Sequence, residues 1–138
     1  MISPGGGYRA LREATRETIL RIHDHAASIG ETWDFGVRDV GSVDNFLSHL
    51  QRMATADDPP ATIAAWAMHY IVAEHPFWDG NHRTGLLMAQ LILGAFGQKI
   101  TGTPEEIERH VRAIDRESLA IAAVEDWIRS TLGPAALP

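Results

Sequence analysis

A chain of 138 residues with 45% hydrophobic content fits one domain with one core. It has no cysteine, which excludes disulfides and thiolate metal sites and is compatible with a reducing cytoplasm. A formal net charge of -6 argues against direct nucleic-acid binding, and no apolar run reaches the roughly 18 residues that would imply a membrane span.

Residues 1–7 read as a flexible leader without the basic and apolar regions of a signal peptide. Its Gly5-Gly6-Gly7 run lacks the Gly-Lys-Ser/Thr ending that a phosphate loop requires. Tyr8 to Ile29 is predicted as a first helix, with Ala14, Thr18, Ile22, Ala26 and Ile29 at helical spacing and Gly30 as C-cap. His23 and His25 near its end do not share a face and read as surface residues. Residues 33–40 are irregular and rich in Trp33, Phe35, Gly36 and Val37, which predicts a loop or a short hairpin. Ser42 is expected to cap a second helix through about Ala54, with Val43, Phe46, Leu47 and Leu50 on one stripe.

Asp57-Asp58-Pro59-Pro60 breaks the chain before a third helix over Ala61 to Glu74, where His69 lies beside the apolar face. The next helix starts near Asn81 or His82 and runs to Phe96, capped by Gly97. Leu86, Leu87, Met88, Leu91, Ile92 and Leu93 cover most of its circumference, as in a central helix. Thr103-Pro104-Glu105-Glu106 is a capping box that opens a fifth helix carrying Ile107, Val111 and Ile114. A last helix begins around Ser118, turns Val124, Trp127, Ile128 and Leu132 inward, and stops at Gly133-Pro134. The predicted class is all-α: a helical bundle around the apolar 82–96 helix, with a short flap or hairpin ahead of His75. One domain spans 8–133, followed by a tail at 134–138.

The chemistry concentrates in His75-Pro76-Phe77-Trp78-Asp79-Gly80-Asn81-His82-Arg83-Thr84. Pro76 ends the preceding helix, which leaves His75 at its terminus as a proton acceptor able to work near neutrality. Asp79 offers oxygen to a divalent cation, and Gly80 permits close backbone approach to an oxyanion. The N–H groups of Asn81 to Thr84 open a helix and form an anion site, to which Arg83 adds a fork of donors. Phe77, between polar residues, is expected to point inward and anchor the loop. Base, metal ligand and anion cradle are the parts that phosphoryl-type transfer needs. Two other readings of the same residues stay open: a polar helix–helix turn, and a metal site from His75, Asp79 and His82. Pro76 and Gly80 oppose the latter because they preclude a continuous helix.

This stretch closely resembles the Fic/Doc family signature, H-x-F-x-D/E-G/A-N-x-R, and meets every fixed position. Weaker resemblance extends through Gly36-Val37-Arg38-Asp39-Val40-Gly41, near the family's flap, and over the helices to Leu132. The resemblance implies that His75 deprotonates a target hydroxyl and that Asp79 holds Mg²⁺ against the phosphates of ATP. It implies that Gly80, Asn81, His82, Arg83 and Thr84 line the phosphate site. Trp33, Phe35, Gly36, Val37, Arg38 and Asp39 become the flap that positions the target or contacts an antitoxin.

The AMP-transferring branch of that family carries glycine and a second arginine where this chain has His82 and Leu86. His82, Arg83-Thr84 and Leu86 are more similar to the Doc toxin branch, whereas Gly80 matches the Fic branch. The resemblance therefore leans toward a Doc-like toxin that passes the terminal phosphoryl group of ATP to a protein hydroxyl, on a translation factor. AMP transfer and a non-catalytic binding or regulatory protein are the alternatives. No glutamate is followed by Gly or Asn, so the family's inhibitory helix motif is missing and a separate antitoxin protein is the expected regulator.

Overall fold

The computed structural model describes residues 4–29 and 36–135. Trp33 and Phe35 of the expected flap, and the expected cap Gly30, lie outside the described residues. The chain forms α1 (Pro4–Arg12), α2 (Arg16–Ser28), α3 (Val40–Thr55), α4 (Pro60–Glu74), α5 (Asn81–Gly94), β1 (Gln98–Ile100), α6 (Pro104–Arg116), α7 (Ile121–Thr131) and β2 (Leu132–Pro134). The all-α expectation holds among the described residues: seven helices and one short two-stranded ribbon.

The expected first helix is two helices. Thr15 accepts a hydrogen bond from the Thr18 N–H while Thr18 accepts from the Thr15 N–H, and this reciprocal cap starts α2 afresh. Residues 4–7, expected in a leader, belong to α1 instead, because proline at a first helical position is pre-organised for the turn. Tyr8 ties α1 down by donating to the Asp58 carbonyl at 2.8 Å. The cap of α3 also differs: Asp39 takes the place expected for Ser42 and accepts from the Ser42 N–H, so the helix starts three residues earlier, at Val40.

The core centres on two helices. In α4, Ile63, Ala64, Ala65, Ala67, Met68, Ile71 and Val72 are each at most 1% exposed, and the helix packs against α3, α5, α6 and α7. Its most extensive partner is α5, which contributes Met88, Ala89, Ile92 and Leu93 to the core. The two approach closely at Gly85, where a Cβ would come within 2.9 Å of Val72 Cγ2. The outer face of α5 remains open, with Leu91 at 48% exposure. Thr103 and Glu106 form the expected capping box of α6.

Pro134, assigned to the tail after the last helix by its sequence, pairs in a ribbon. β1 and β2 pair antiparallel with Gln98 opposite Pro134 and Ile100 opposite Leu132. Three-residue strands are too short to display alternation in a sequence. Among the described residues no helix is long and apolar enough to cross a membrane.

Candidate active site

The helix α4 ends where Pro76 follows it, and His75 leaves the helical region at φ 51°. That bend turns the chain out of the core and sets the imidazole at the surface, half-exposed. The last carbonyls of α4 are not left to solvent. Arg38 donates from Nε to the His75 carbonyl and from a terminal nitrogen to the Glu74 carbonyl, both at 2.6 Å. Residues 36–38 then run beside 76–78, with Arg38 N donating to the Pro76 carbonyl and Trp78 N to the Gly36 carbonyl. Val37 and Phe77 form a single antiparallel bridge there. The flap side of the site is thus stitched to the loop by main chain. The side chains of Arg38 and Asp39 cap α4 and α3, which leaves backbone rather than these side chains to meet a target.

Inside the loop, Phe77 is 1% exposed and stacks on His23 of α2 at 3.8 Å between centroids, 4° from parallel. His23 is itself 1% exposed, and its Nε2–H donates to the Asp79 carbonyl at 2.8 Å. This corrects the surface reading of His23. The signal was present: His23 lies four residues after buried Ile19 and three or four before buried Ala26 and Ala27. His25, by contrast, is exposed.

Asn81 spends its amide on the loop. Its Nδ2 donates to the Phe77 carbonyl at 2.9 Å and its Oδ1 accepts from the Phe77 N–H at 3.2 Å. Gly80, at φ 77°, turns the chain into α5, and its N–H donates to Asp79 Oδ1 at 2.8 Å. Thr84 is fully buried; its hydroxyl and its N–H both donate to the Gly80 carbonyl. Thr84 is therefore no phosphate donor, and Asn81 can serve only through its main chain. The donors that remain are the N–H groups of Asn81, His82 and Arg83, which have no intrahelical acceptor in the first turn of α5. The Arg83 guanidinium is exposed beside them.

His82 does not reach into this cradle with Nε2. That nitrogen donates to Asp115 Oδ1 of α6 at 3.0 Å, and Asp115 Oδ2 lies 3.8 Å from His75 Nε2. Burial pushes the Asp115 carboxyl up, but the hydrogen bond and charge of His82, helped by His75, outweigh it and hold the group below the ordinary carboxylate range. Asp115 was not singled out from the sequence. Its only local mark is its place one residue after buried Ile114 and four after buried Val111, at the edge of an apolar stripe.

Arg83 and His82 border a cleft of about 500 Å³ between α5 and α6, with Leu86, Ile107 and Val111 as its apolar wall. A volume of this order suits a small organic ligand. Arg112 on the rim is paired with Glu108 at 2.8 Å. Among the described residues no cluster of three histidines or carboxylates could hold a metal alone. That removes the His75–Asp79–His82 metal reading. A single loop carboxylate, Asp79, does fit Mg²⁺, which is commonly held by one or two carboxylates together with substrate phosphates.

Residues 13–93 match the Fic/DOC family. The chain is also similar to a Fido domain-containing protein of Dictyostelium discoideum, at 36% identity over 70 residues, which is 48% of this chain and 49% of the relative. It thus spans about half the length of that relative. The matched region runs from the end of α1 to near the end of α5 and contains the whole His75-to-Thr84 loop. The chain belongs to the Fic/DOC family.

Proposed function

We propose that the chain transfers AMP from ATP to a hydroxyl of a protein. One observation carries this reading: the His75 ring lies 6.1 Å from that of His82, which sits in the first turn of α5 and lines, with Arg83, a cleft of about 500 Å³. In the step, the target oxygen attacks the α-phosphorus and passes its proton to a His75 ring nitrogen. The bond to the bridging oxygen breaks, and pyrophosphate leaves with the electron pair. The N–H groups of Asn81, His82 and Arg83 and the Arg83 guanidinium face the charge that builds on the phosphate. Mg²⁺, when held by Asp79 and the phosphates, supplies further neutralisation. The main-chain edge at Gly36 and Val37 is the place for the target backbone.

Transfer of the terminal phosphoryl group, by a Doc-like toxin, is the second reading. Leu86 favours it, because an apolar wall stands where the AMP-transferring branch places a cation for the distal phosphates. Against it, the His82 Nε2 that would replace the Doc lysine is committed to Asp115. Incubation of the protein and a cell lysate with ATP labelled at either the α- or the γ-phosphate separates the two. Label from the α position on a protein band supports AMP transfer, and label from γ alone overturns it in favour of phosphoryl transfer. His75→Ala is expected to lower either signal by roughly 10²–10⁴-fold. Absence of both signals with wild-type protein, across nucleotides, would sink the transferase reading and leave a binding role.

A further inference from the structure

The structure assigns Asp115 a positioning role: held by His82, its carboxylate sets a negative charge at Nε2 of His75 and so favours proton acceptance on the far side of the ring. The inference rests on His75 being the base and adds the group behind it. Three elements converge here, because His75 ends α4, His82 lies in the first turn of α5 and Asp115 sits in the last turn of α6. Both imidazoles aim Nε2 at the one carboxylate, with ring centroids 6.1 Å apart and planes at 85°.

The two distances do different work. At 3.0 Å the His82 N–H makes a true hydrogen bond, which orients the carboxylate. At 3.8 Å the second oxygen is too far from His75 Nε2 for a hydrogen bond but within ion-pair range. Asp115 thus faces Nε2, and the ring nitrogen left for a target hydroxyl is Nδ1. Once Nδ1 takes the proton, the imidazolium has a negative charge already in place across the ring at Nε2, as the histidine of a serine protease has a carboxylate across its ring from the basic nitrogen. Among the described residues, the charged or titratable groups that contact His75 are Asp115 from α6, His82 from α5, and Arg38 from the segment before α3. The guanidinium of Arg38 is spent on the Glu74 and His75 carbonyls. The arrangement also explains why a histidine stands at position 82 of the motif: it serves the base through Asp115, not the phosphate.

The test compares wild type, Asp115→Asn, Asp115→Glu and His82→Ala in the full chain. Histidine ring ¹⁵N resonances are followed against pH without nucleotide, and kcat and KM for ATP are measured in the label-transfer assay. Asp115→Asn is expected to move the acid limb of kcat to lower pH and to lower the share of the Nε2–H tautomer in the His75 ring resonances. It should cut kcat roughly 10–100-fold, as for other carboxylates behind a functional imidazole, without raising KM for ATP. Asp115→Glu should recover part of both effects, and His82→Ala should shift the same limb by less.

An unmoved acid limb with unchanged His75 ring resonances in Asp115→Asn overturns the proposal. So does a His82→Ala variant that only raises KM for ATP, since that marks His82 as a phosphate ligand. Should Asp115→Asn lose its cooperative thermal transition, the His82→Ala arm decides alone. The resonance arm needs no turnover, so an inactive wild type would sink the transferase reading while leaving this coupling to be judged by itself.

Discussion

Asn81 shows how much a single motif side chain can do away from the chemistry. Both ends of its buried amide are used on Phe77, so Asn81→Ala leaves a buried N–H and a buried carbonyl without partners. A loss of about 1–3 kcal/mol in urea unfolding is expected, together with loss of nucleotide binding by calorimetry. Asn81→Asp keeps the acceptor and loses the donor, and should fall between. His23 is the reciprocal case. It stands 56 residues from the carbonyl it binds and carries no motif, yet it stacks on Phe77 and holds Asp79. His23→Leu keeps apolar volume and removes the donor. It is expected to fold with a lower thermal midpoint and to need more Mg²⁺ for transfer, because the Asp79 main chain is no longer tethered. Unchanged Mg²⁺ dependence would dissociate His23 from the site. The candidate roles of His75, Asp79 and Arg83 can be proposed from the loop alone because each rests on residue type and order. Those of His23 and Asp115 were not, because they arise from contacts between distant helices.

At the scale of elements, helix ends position the site. The C-terminus of α4 and the N-terminus of α5 meet across six residues, and the close approach at Gly85 keeps those ends in register. Gly85→Val would push into Val72 and the Met68 carbonyl and is expected to cost about 1–3 kcal/mol, with nucleotide binding weakened because the two ends part. Thr103→Ala makes the contrast. It removes an exposed cap of α6 and should cost about 1 kcal/mol while transfer per folded molecule stays intact. Helical periodicity placed α3, α4, α5 and α6 within a few residues. It missed the break at Thr15, where side chains compete with the backbone, and the β1–β2 ribbon, whose pairing depends on two segments brought together from opposite ends of α6 and α7.

For the whole molecule, pH response follows from where the histidines pack. Burial holds His110, stacked on Trp127 at 4.1 Å, and His49, stacked on Trp66 at 4.4 Å, below the ordinary histidine value, with Arg52 adding to the effect at His49. Both therefore bind protons less readily folded than unfolded. Stability is complete above the unfolded value of 6.5 and declines as pH falls below it toward the folded values. Asp115 is lowered from 3.8, so its contribution is present above that value and is lost as pH falls through the folded one. Thermal midpoints measured from pH 8 to 3 should fall in two stages, and His49→Gln with His110→Gln should flatten the first. A first stage unchanged in that double variant would assign it to other groups.

The sequence by itself determined the all-α class, most helix boundaries and the loop that carries the family signature, because these depend on spacing along one chain. Only the tertiary structure decided which motif groups remain open to a ligand. Burial and hydrogen bonding withdraw Thr84 and the Asn81 amide, turn His82 toward Asp115 and enlist His23. The physical reason is that a polar group's chemistry is set by the partner that satisfies it, and those partners lie on other helices.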